Sequence, residues 1–98
     1  MILTLQIDKV SSGEYRVEAL YGGLPIAEAQ HYKRINEAIR RGAVGFEGSF
    51  DYLEVRYAGF SSGTFVISVV TRMADTIADR LMELIAHQHH SQNMRAEH

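Results

Sequence analysis

The chain has 98 residues, 46% of them hydrophobic and 22% charged, with a formal net charge of −2 and no cysteine. That balance fits one globular core and argues against disorder, and the slight acidic excess gives nucleic-acid binding no support from overall charge. A cysteine-free chain has no disulfide scaffold, no thiolate zinc site and no cysteine nucleophile.

Ile2–Asp8 alternates Leu3, Leu5 and Ile7 with Thr4, Gln6 and Asp8, the period-two signature of a half-buried first strand. Ser11-Ser12-Gly13 supplies turn chemistry. Glu14–Tyr21 alternates Tyr15, Val17 and Ala19 with Glu14, Arg16 and Glu18, so a second strand closes a hairpin with the first. Gly22-Gly23 makes the next turn. A third strand is expected over Leu24–His31, starting at Pro25 or lying at an edge, because proline cannot donate to a ladder.

Over Lys33–Phe46 the period changes. Ile35, Ala38, Ile39, Ala43 and Phe46 share one helical face. Gly42 and Gly45 weaken the second half of this helix by roughly 1 kcal/mol each relative to alanine, which predicts an end near Arg41–Val44. A fourth strand is expected at Tyr52–Tyr57, a loop at Ala58–Gly63 and a fifth strand at Thr64–Val70. A second helix is expected to begin near Thr71, an acceptable N-cap residue, with Met73, Ile77, Leu81, Leu84 and Ile85 as its apolar stripe. Ser91–His98 carries no pattern and reads as a flexible tail. The expectation is a single α+β domain over residues 1–90, with a mainly antiparallel sheet of about five strands and two helices in the order β-β-β-α-β-β-α.

Four groups of residues invite a chemical reading. His87 and His90 lie three apart on a helix, with Glu83 one turn back, so the three present a possible metal-ligand spacing; His89 and His98 are nearby. The plainer reading is a polar helix end whose partial positive charge suits the macrodipole. Lys33, Arg34, Arg40 and Arg41 form a basic cluster that could grip phosphate or nucleic acid. The plainer reading is a solvated helix face, and Glu28, Glu37 and Glu47 dilute its field. Asp75, Asp79 and Glu83 form an acidic ridge, but carboxylates do acid–base work only where they converge in a cleft. Gly42, Gly45 and Gly48 follow a helix, whereas a phosphate-cradling loop precedes one. No nucleophile elbow and no Walker, zinc-protease or EF-hand spacing occurs. No catalytic residue and no cofactor is indicated.

What remains is surplus apolar surface. Val66 and Val70 fall on the face of the fifth strand opposite Phe65, Ile67 and Val69, and the second helix carries Met82 and Ile85 in a wide stripe. In a monomer the two helices would have to cover opposite faces of the sheet. Otherwise an exposed apolar strand must be covered by another chain, which makes Val66, Val70, Met82 and Ile85 candidate interface residues of a homodimer.

The run Ser12-Gly13-Glu14-Tyr15, followed by Ile35-Asn36-Glu37-Ala38, resembles the opening of the HicB-type antitoxins. There a hairpin with a Gly–aromatic turn leads through a third strand into a helix bearing a Glu-Ala pair. The resemblance covers about a third of the chain. It implies a partner protein or nucleic acid as the binding target. The family's Pro-Gly-Cys signature is replaced by Gly23-Leu24-Pro25, and the C-terminal half lacks the pattern of its DNA-binding tail.

The leading expectation is therefore a non-catalytic, self-associating interaction module. The second is an antitoxin-like or regulatory protein that binds a partner or nucleic acid through the basic helix; the third is a small enzyme or ligand-binding protein. The N-terminus lacks the basic and long apolar regions of a signal peptide, and no apolar run approaches the ~20 residues that span a bilayer. The expected location is the bacterial cytoplasm.

Overall fold

The structure, a computed structural model, describes the backbone of residues 1–96 and the side chains of residues 1–88. The first two strands form the expected antiparallel hairpin, β1 (Ile2–Ser11) and β2 (Glu14–Tyr21). Gly13 turns it at φ +75°, a conformation in which a Cβ is disfavoured. The third strand is split. Its pieces are β3 (Leu24–Pro25) and β4 (Gln30–Tyr32), both antiparallel to β2. Pro25 stands opposite Leu20 with its missing N–H on the outer edge, where proline is tolerated; the Ile26 N–H still donates to Ala19 C=O at 3.0 Å, after which the chain leaves β2 and rejoins it at Gln30.

The first helix, α1 (Ile35–Val44), lies within the expected span. After β5 (Tyr52–Tyr57), three expectations need correction. The segment read as a loop over Ala58–Gly63 is mostly strand, since Ala58 and Gly59 alone make the turn, both at positive φ, and β6 runs from Phe60 to Val66. The expected fifth strand therefore ends at Val66 and not at Val70. The second helix, α2 (Ile67–Ala96), starts at Ile67 and not near Thr71. An apolar run such as Phe65–Val70 fits either period locally. Packing decides: Ile67, Val70, Ala74, Ile77, Ala78 and Leu81 are all buried and share one helical face. Of the tail expected over Ser91–His98, residues 91–96 are helical as the end of α2, and Glu97 and His98 lie outside the described residues.

The sheet order is β3-β2-β1-β5-β6, with β4 also beside β2. The central pair, β1 with β5, is parallel; the other pairs are antiparallel. This is the expected α+β class, a mostly antiparallel sheet with two helices. Both helices lie on the same face. α1 contacts β1 and β2, α2 contacts β5 and β6, and the helices pack against each other. Leu3, Leu5, Ile7, Leu53 and Val55 point into this layer and are fully buried. α1 comes close to the sheet at Gly42, where a Cβ would lie 3.0 Å from Leu5 Cδ1.

A bulge interrupts the β5–β6 ladder between Glu54 and Arg56. Gly63 takes φ +85° there. The Val55 N–H that the irregularity would orphan donates instead to the buried Ser62 Oγ at 3.1 Å.

Candidate functional site

The strands place alternate residues on the sheet face that neither helix covers. Register then sorts them by kind. Toward one end, Gln6 stands beside Glu18 and Arg56, and Asp8 beside Arg16. Arg16 Nη2 meets Glu18 Oε2 at 2.8 Å, and Arg56 Nε meets Glu54 Oε1 at 3.0 Å. At the other end, Ile2 pairs with Tyr52 and Tyr52 with Val66, so three apolar side chains from β1, β5 and β6 stand in one row. Their exposures are 48%, 46% and 48%. Polar groups bonded in pairs make the first end self-sufficient. The second end is a contiguous apolar patch in water.

The four expected interface residues separate in the structure. Val66 belongs to the open-face row. Val70 is fully buried within the domain because α2 begins before it, so it has no surface to offer a partner. Met82 is exposed on α2, and Ile85 packs partly against the core. Sequence reading missed Ile2 and Tyr52. Their parity opposite Leu3 and Leu53 already assigns them to the far face, but only the register brings them beside Val66.

Three of the four basic residues converge. Arg34, Arg40 and Arg41 line a shallow depression of about 310 Å³ together with Asn36 and Glu37, and Lys33 is not part of its lining. The depression is partly neutralised from both helices. Arg40 Nη2 lies 3.4 Å from Asp75 Oδ1, which also accepts a 2.7 Å bond from Asn36 Nδ2. Arg41 Nε lies 3.4 Å from Glu37 Oε1, one turn away. Asp75 therefore ties α2 to α1 and leaves the expected acidic ridge with Asp79 and Glu83.

Glu83 and His87 are exposed on α2, and the side chains of His89, His90 and His98 lie outside the described residues. Among the described residues, no group of three His, Cys, Asp or Glu side chains stands close enough to hold a metal ion.

Two grooves flank the helices. One of about 210 Å³, under α1, has Leu5, Val17 and Ala19 as its floor and Arg41 and Phe46 among its walls. It is smaller than an ordinary small-molecule site. The other, about 380 Å³, runs between β6 and α2 and is lined by Phe65, Met73, Thr76, Ile77 and Arg80 among others. Near the opposite end of the core, Tyr15 and Tyr57 meet edge to face with centroids 6.0 Å apart. Burial pushes the Tyr57 phenol above its ordinary value of 10.0, and the neighbouring Tyr15 adds to the shift.

Compared with protein-family models, curated proteins and solved structures, the chain finds no significant match in any of the three.

Proposed function

We propose that this chain is a non-catalytic interaction module that works as a homodimer. The observation that carries the reading is the placement of both helices on one sheet face, which leaves Ile2, Tyr52 and Val66 as an apolar row exposed on the other. Apolar area of this kind is stabilised by removal from water, at roughly 25 cal/mol per Å², and a second copy is always present at the concentration of the first. No helix among the described residues is long and apolar enough to cross a membrane.

Sedimentation velocity at micromolar concentration tests this. The expected result is a reversible species of twice the 11.0 kDa chain mass. A single 11.0 kDa species up to the highest soluble concentration overturns it.

A second reading, a regulatory protein with an antitoxin-like role that binds nucleic acid or an acidic partner through α1, draws support from the gathering of Arg34, Arg40 and Arg41 around one depression. Retention on heparin that falls steeply with salt, and falls further in Arg34→Ala and Arg41→Ala, is its expected signature. Elution at low salt ends it.

A further inference from the structure

The two edges of the sheet are built differently. One consists of β3, two residues long and closed by Pro25, and β4, three residues long and carrying His31. Short strands, proline and an ionisable side chain are the usual protections against edge pairing. The other edge is β6, seven residues of sequence FSSGTFV with no charge and no proline. Among the described residues its only protection is the bulge at Ser62 and Gly63, which leaves Thr64–Val66 regular.

The direction of the backbone groups along that stretch follows from one hydrogen bond. The Ile67 N–H donates to Asp51 C=O at 2.9 Å. In an antiparallel ladder, bonded and non-bonded pairs alternate. Phe65 and Leu53 are therefore a bonded pair, and the N–H and C=O of Thr64 and Val66 point away from β5. The Val55 N–H, which points toward β6 and onto Ser62 Oγ, obeys the same alternation. Both outward-facing residues are exposed, so their backbone groups sit at an open edge.

We infer that β6 pairs antiparallel with β6 of a second copy across a two-fold axis at Phe65, joining two sheets into one. This rests on the self-association reading and gives it an edge contact, which adjoins the open-face row at Val66. The register follows from the outward groups. With Phe65 on the axis, Thr64 lies opposite Val66 of the second copy, and every outward N–H and C=O of the two residues finds a partner. A charge on or beside the axis of two identical strands would stand close to its own copy; an uncharged β6 has no such conflict. The two Phe65 rings meet on the helix side, beside the groove lined by Met73, Ile77 and Arg80. On the other side, Val66 lies opposite Thr64 of the second copy and diagonal to that copy's Val66, so the two rows meet offset by two residues along the strands. A closed two-fold contact consumes both edges and so stops at a dimer.

The test is amide exchange of the full chain by NMR, measured across the concentration range of dimerisation. The Thr64 and Val66 amides are expected to slow by at least ~10-fold as dimer forms, because a paired edge amide exchanges only on opening. Thr64→Lys, on an exposed site, sets like charges across the axis and is expected to raise the dimer dissociation constant at least ~10-fold with an unchanged circular-dichroism spectrum. A dimer whose Thr64 and Val66 amides exchange as fast as in dilute monomer overturns the edge contact and leaves self-association standing. So does a Thr64→Lys dimer of undiminished affinity. A chain that stays monomeric overturns both readings together.

Discussion

Strand β5 shows within one step of chain how differently the two sides of this sheet are used. Leu53 is fully buried beneath the helices, while Tyr52 beside it is 46% exposed on the open side. The covered side is filled from every strand direction: Leu3 and Leu5 from β1, Val17 from β2, Leu53 and Val55 from β5. The open side is divided into an ion-paired half and an apolar half. A domain that needed only to fold would gain little from Ile2, Tyr52 and Val66 where they stand. Stability is concentrated on one face, and exposed apolar surface is left on the other.

The sharpest way to break that contrast is to truncate the two neighbours on β5. Leu53→Ala is expected to lower unfolding free energy by ~2–5 kcal/mol, since it removes buried methyl groups and leaves a cavity. Tyr52→Ala is expected to cost less than ~1 kcal/mol of monomer stability, as exposed substitutions usually do. Urea denaturation at low protein concentration measures both free of association. Equal losses would show that the open face is not open.

The glycines of α1 sharpen the comparison at the contact between layers. A Cβ on Gly42 would lie 3.0 Å from Leu5 Cδ1 and 3.4 Å from Val17 Cγ1. Gly42→Val is expected to push α1 off the sheet and cost ~1–3 kcal/mol, as overpacking does. Gly45 caps the same helix at φ −73° with nothing within 4 Å of its would-be Cβ. Gly45→Ala is expected to stabilise by ~0.4–1 kcal/mol, because it restricts only the unfolded chain. Thermal melts of the two variants should therefore shift in opposite directions.

The sequence reading treated these two glycines alike, as helix weakeners, and that shows where it stops. Propensity sees a missing side chain; only packing shows that at Gly42 the absence lets helix and sheet touch. Alternation over Ile2–Ile7, Glu14–Tyr21 and Tyr52–Tyr57 was enough to place β1, β2, β5 and their inward residues. The β5–β6 turn was hidden because Ala58-Gly59 lacks the Asn-Gly or Asp-Gly signature, and Phe60-Ser-Ser-Gly63 has the composition of a loop. The end of β6 was hidden because Phe65–Val70 is apolar at every position but Ser68, so no period marks where strand becomes helix. Val70 was misplaced on the surface for that reason alone. At the candidate site, Val66 was legible as apolar and outward, and Arg34, Arg40 and Arg41 as a cluster. The row with Ile2 and Tyr52, the Asp75 contact that offsets Arg40, and the outward amides of β6 depend on register and on helix–helix packing between segments distant in sequence, which local patterns do not encode.

The smallest expected effect lies where the covered layer reaches its aromatic end. Tyr57 is 8% exposed and stands against Tyr15. Burial first, and the neighbouring phenol second, favour its neutral form and raise its pKa above 10.0. The sign follows from linkage: the folded state holds this proton more tightly than the unfolded chain does. Its contribution to stability is therefore complete below pH 10 and is lost as pH rises through the folded value. Melting temperature should fall with increasing pH in the alkaline range, and Tyr57→Phe, which keeps the ring but has no proton to lose, should flatten that fall. Subtracting the variant's absorbance titration at 295 nm from that of the native chain isolates this phenol. A midpoint at or below 10.0 would mean that the aromatic end of the covered layer is as wet as the open face, and the contrast between the two sides would stop short of Tyr57.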